Sequence, residues 1–88
     1  MHIDVYRSTR APGPYLLVRR GTGRVAAPEA VRSEFVPGEL VKQLRMISTD
    51  SIAGLDSAAA ITAIQQERYY VAPGPVDFER IAGQRLPR

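Results

Sequence analysis

The chain begins with an alternation. In "HIDVYR", residues 2–7, Ile3 and Val5 fall on one side of an extended backbone, and His2, Asp4 and Tyr6 fall on the other. That two-residue period predicts a strand. "STRAPGP" then interrupts it, because Pro12, Gly13 and Pro14 cannot continue a ladder. "YLLVRR", residues 15–20, resumes with four consecutive apolar positions, Tyr15, Leu16, Leu17 and Val18. A run apolar on both faces predicts a strand covered on both sides, and the short spacing predicts an antiparallel hairpin with the first.

After "GTGR" the period lengthens. Pro28 suits a first helical turn, Glu29 favours its positive end, and Val31 and Phe35 stand one turn apart before Pro37 and Gly38 stop the helix. "ELVKQLRMI" fits two patterns. Leu40, Leu44 and Ile47 suit a helix, whereas Leu40, Leu44 and Met46 share a strand face interrupted by Lys42. Its place between two better-marked helices favours the strand. Asp56 then caps a helix whose apolar stripe is Ala60, Ile61 and Ile64. "RYYVA", residues 68–72, predicts a fourth strand with its tyrosines on opposite faces. Beyond "PGP", Asp77 starts a last helix carrying Phe78, Ile81 and Ala82, with Gly83 placed to end it. The expected order is β-β-α-β-α-β-α, an α+β fold with a four-stranded sheet and helices enough for both faces.

Composition narrows the class. The chain has 88 residues, which predicts one domain over 1–88, with residues 81–88 open to reading as a frayed C-terminal tail. A chain of this size buries about 60–65% of its unfolded surface, a thin core. No cysteine is present, so disulfides and thiolate metal sites are excluded. The apolar runs are too short to span a membrane, and the N-terminus lacks the pattern of a secretory signal; a cytoplasmic protein is expected.

Charge placement changes the picture more than the total of +3 does. Residues 1–24 hold five arginines, Arg7, Arg10, Arg19, Arg20 and Arg24, against Asp4 alone, while the rest of the chain carries a net charge of −1. Guanidinium groups make planar, bidentate contacts with carboxylate or phosphate.

Several of these stretches together resemble the YcgL-domain family of small bacterial proteins. "VYRSTRAPGPYLLV" resembles its opening hairpin, "APEAV" and "FVPGEL" its first helix and the segment after it, and "RYYVAPGP" its Gly-Tyr-Tyr strand and proline-rich continuation. The resemblance implies an α/β/α sandwich around a twisted four-stranded antiparallel sheet, and no established activity. It also implies a gene neighbourhood shared with ribonuclease D, and through it RNA metabolism. Three departures stand out: Arg68 replaces the glycine before the tyrosine pair, Pro73-Gly74-Pro75 replaces a longer polyproline, and Phe35-Val36-Pro37-Gly38 replaces Phe-Gly-x-Pro.

Catalysis finds little support. His2 is the only histidine, and no nucleophile is visibly paired with it. "GTGR" lacks both the third glycine of a dinucleotide loop and a Walker lysine, and the acidic residues follow no metal-ligand spacing. No cofactor and no metal are expected.

A non-catalytic binding module is the reading that remains. The expected contact residues for RNA or another polyanion are Arg7, Arg10, Arg19, Arg20 and Arg24, with Tyr6 and Tyr15 interleaved among them. The alternative function is a protein–protein adaptor that offers the same edge to an acidic partner. The plain structural alternative is an edge strand kept from aggregation by charge and proline.

Overall fold

The computed structural model describes residues 1–8, 14–35, 39–49, 54–73 and 76. Strands β1 (His2–Arg7) and β2 (Tyr15–Arg19) form the expected antiparallel hairpin, with Ile3 opposite Arg19 and Arg7 opposite Tyr15. Strand β3 (Glu39–Arg45) joins the free side of β1 and β4 (Tyr69–Ala72) the free side of β2, both antiparallel. The sheet order is β3-β1-β2-β4. The hairpin is therefore the centre of the sheet. An edge strand protected by charge and proline, the plain structural alternative, is thereby ruled out for the hairpin, because both of its strands are already paired on each side.

Strand alternation sends two apolar sets to opposite faces. On one face Ile3, Val5, Leu17, Leu44 and Met46 pack with Ala60 and Ile64 of helix α2 (Ser57–Glu67). On the other, Leu16 and Val18 pack with Ala27 and Phe35 from the segment that follows the hairpin. Leu16, Leu17 and Val18 are all fully buried, which is what an uninterrupted apolar run requires. Tyr69 and Tyr70 pack against the second and first of these clusters, on opposite faces as expected.

The first helix is shorter than its sequence suggests. Residues Glu29–Arg32 form α1, a single turn flanked by 3-10 turns at Arg24–Ala26 and Ser33–Phe35. The Asp56 cap is present, its Oδ1 accepting from the Ala59 N–H at 3.1 Å. The fourth strand starts one residue later than expected. Arg68 is the last-turn cap of α2, in the left-handed region at φ 80°, and its N–H donates to the Ile64 carbonyl at 3.0 Å.

Strand β3 also departs from its expected face. Val5 pairs with Lys42 but Tyr6 pairs with Leu40, so Val41 is an extra residue, a β-bulge. The bulge flips the pleat: Leu44 is buried at 8% exposure, whereas Leu40 lies on the opposite face at 45%. The last helix expected from Asp77, and the tail over 81–88, lie outside the described residues.

Candidate nucleic-acid interface

The structure divides the hairpin arginines. Arg7 ends β1 beside Tyr15, while Arg19 stands opposite Ile3, four rungs away, or roughly 13 Å. Arg7 forms an ion pair with Glu39, its cross-strand partner on β3. Both side chains are well exposed, so the pair contributes little to stability. Tyr6 and Tyr15 belong to Arg7's end of the sheet, half-buried against opposite apolar clusters. Arg10 lies outside the described residues.

The remaining arginines gather with partners that sequence reasoning missed. Every neighbouring pair of strands is antiparallel, so the starts of β1 and β4 and the ends of β2 and β3 meet at one end of the sheet. His2 stands directly opposite Arg45, and the Arg20 N–H donates to the His2 carbonyl at 2.9 Å, extending the ladder by a rung. Arg19 follows Val18, which is paired with Tyr69; Arg68 precedes Tyr69. His2, Arg19 and Arg45 on three strands, Arg20 just past β2 and Arg68 just before β4 thus meet at one end of the sheet, and Arg24 opens the 3-10 turn just beyond β2.

Among the described residues, two carboxylates share this end. Glu67 precedes Arg68 on the exposed end of α2, and Asp4 is almost fully buried at 5% exposure. Asp4 Oδ1 accepts from Gln43 Nε2 at 2.9 Å, and its Oδ2 accepts from the Gly21 N–H at 3.2 Å. The Arg20 Nε is 3.8 Å from Oδ1, a charge contact beyond hydrogen-bond distance. Arg20 therefore keeps its N–H donors available. Arg19, Arg24, Arg45 and Arg68 form no ion pair with a described carboxylate. Gly21 and Gly23 have positive φ, 87° and 72°, which turns the chain from Asp4 toward Arg24 without steric cost.

The match to known families now has a geometry to rest on. The YcgL domain profile matches residues 3–75, most of the chain. The chain belongs to the YcgL domain family. No curated protein and no solved structure matches it. In this YcgL domain no described helix is long and apolar enough to cross a membrane. Among its described residues, no group of three or more histidines, cysteines and carboxylates is placed to hold a metal ion.

Arg68 now has a physical cost attached to it. The position before the tyrosine pair, glycine in the pattern this chain resembles, adopts a conformation that disfavours a side chain by roughly 1 kcal/mol. Arg68→Gly is accordingly expected to raise stability by about 0.5–1 kcal/mol, read as a higher midpoint in urea denaturation. A fall in the midpoint would mean that the arginine side chain returns more than the backbone loses.

Proposed function

We propose that this YcgL domain is a non-catalytic, cytoplasmic binding module that engages RNA or a comparable polyanion through the basic end of its sheet. The observation that carries this reading is the arrival of Arg19, Arg20, Arg45, Arg68 and His2, on or beside the four strands, at one end of the sheet. Arginines gathered at one end of the sheet repel one another, and an anionic chain that contacts them reduces the repulsion while releasing its own counterions. Arg68 adds to this. A cation held in a strained backbone conformation is the pattern of a position kept for contact rather than for stability.

The test is the salt dependence of binding to a labelled single-stranded oligonucleotide. Wild-type affinity is expected to fall by about tenfold between roughly 50 and 200 mM salt, as a few phosphate contacts require. Arg19→Gln with Arg45→Gln should weaken binding and reduce the slope by about 0.7 per contact removed. Both side chains are exposed, so the fold should be unaffected. Arg7→Gln, at the other end of the sheet and already paired with Glu39, should bind as wild type. Equal losses in the double variant and in Arg7→Gln, or no binding at low salt, would overturn the proposal.

A further inference from the structure

The two faces of the sheet are covered unequally. On the face opposite α2, the segment from Arg24 to Phe35 packs over Leu16 and Val18 of β2 and against Tyr69 and Val71 of β4. Among the described residues, that cover lies mainly on the β2–β4 half and reaches Tyr6 of β1, which packs against the same cluster and is half-buried. The β1–β3 half carries three cross-strand pairs on the same face, Tyr6 with Leu40, Asp4 with Gln43 and His2 with Arg45. Leu40, Gln43, His2 and Arg45 are exposed, and Tyr6 is half-buried. Among the described residues the result is a partly open strip four rungs long, roughly 13 Å, graded from an aromatic and apolar end to a cationic one, with Asp4 buried at its middle rung.

We infer that this strip binds a single-stranded nucleic acid, laid along β1 and β3 with its phosphates at the basic end and an unstacked base on Tyr6 and Leu40. The inference rests on the polyanion reading above and specifies its ligand. Each part of the strip matches one part of such a chain. Arg45, His2 and Arg20 form a transverse row over three adjacent strands, suited to successive phosphate oxygens. The Tyr6 ring and the Leu40 side chain offer an apolar surface to a base plane.

Gln43 stands between the two ends. Its Nε2 donates to Asp4 Oδ1, so the amide is oriented with Oε1 turned away from the carboxylate, an acceptor for a base N–H. A duplex satisfies only the cationic end, because its base faces are stacked on one another. A run of Asp and Glu alone likewise offers no aromatic ring to the Tyr6–Leu40 end. The bulge at Val41 is what creates that end: without it Leu40 would share the face of Leu44 and pack under α2.

The experiment compares four labelled probes: oligouridylate, oligothymidylate, an RNA duplex of the same length, and heparin. Both single strands are expected to bind wild type at least about tenfold more tightly than the duplex. Tyr6→Leu should weaken both single strands by about five- to fiftyfold and leave heparin unchanged, since only bases stack. Tyr6→Phe keeps ring and packing and should bind as wild type, which separates loss of stacking from loss of fold; thermal unfolding of both variants checks the latter. Equal affinity for single strand and duplex, or a Tyr6→Leu protein unchanged toward the homopolymers, would overturn the inference. Heparin binding retained in that case leaves the basic-end reading standing, while failure of all four probes ends both.

Discussion

Replacing Phe35 by alanine is expected to remove about 3–5 kcal/mol of folding stability. Phe35 is fully buried and is the bulkiest of the fully buried side chains. It comes from a segment with little helical stability of its own, since α1 is a single turn between two 3-10 turns. The segment is held on the sheet by side-chain packing, and its fully enclosed apolar contribution is Phe35 with Ala27. Alanine at position 35 would leave a cavity against Leu16 and Val18 that a thin layer cannot refill. A domain of this length has a total of about 4–13 kcal/mol to lose. Urea denaturation should show a large fall in midpoint with little change in slope, while Val25→Ala, at a site 75% exposed, should shift it by less than about 0.5 kcal/mol. A Phe35→Ala loss below about 1 kcal/mol would mean that this face is loosely packed and that the cover over β2 and β4 is not what orders the sheet.

What could be seen in the sequence follows from the range over which each signal acts. Alternation in residues 2–7 and the apolar run from Tyr15 to Val18 are local signals, and they placed β1 and β2 with the correct pairing. Asp56 with Ala60 and Ile64 likewise marked α2, because capping and a helical stripe are read within a few residues. Two local features stayed hidden for definite reasons. The bulge at Val41 changes the parity of β3 midway, so the strand period that puts Leu40 and Leu44 on one face is broken between them. The cap at Arg68 escaped notice because glycine, the usual sign of a left-handed residue, is absent there, and the residue joined the Tyr69-Tyr70 strand instead.

The candidate site was less legible than the fold, because it depends on strand order. Arg45 is 43 residues from His2 in sequence and directly opposite it in the sheet. Periodicity says which face a residue takes but not which strand will lie beside it. One signal was nevertheless available. In an all-antiparallel sheet, residues that end β2 and β3 meet those that begin β1 and β4 whenever those strands run in opposing pairs. Arginines at 19, 20, 45 and 68 and the histidine at 2 occupy those termini. The run from Tyr6 to Arg20, compact in sequence, was instead pulled apart by the hairpin it forms, with Arg7 and Arg19 four rungs apart.

Asp4→Ala is expected to cost about 2–3 kcal/mol while leaving polyanion affinity undiminished, and the opposed signs are the point of the experiment. The Asp4 carboxylate is 5% exposed and joins three elements: it accepts from the Gly21 N–H beyond β2, accepts from Gln43 on β3, and faces the Arg20 guanidinium. Removing it deletes the hydrogen bonds from the Gly21 N–H and the Gln43 amide, both part-buried, each worth about 1 kcal/mol or more because the acceptor is charged. It also takes away a buried negative charge beside Arg20 and close to Arg45, so the basic end repels itself more strongly. That repulsion is screened by salt, whereas a lost hydrogen bond is not. Raising salt in the urea titration should therefore recover part, not all, of the Asp4→Ala deficit. Asp4→Asn keeps the side-chain volume and one acceptor oxygen, and should lie between wild type and alanine. A nucleic acid that contacts Arg20 and Arg45 would supply the missing negative charge from outside. Its binding should consequently stabilise Asp4→Ala more than it stabilises wild type, measured as the larger shift in unfolding midpoint at equal ligand concentration. If ligand stabilises both proteins equally, the carboxylate and the bound phosphate do not share a field, and the basic end is not where the polyanion lies.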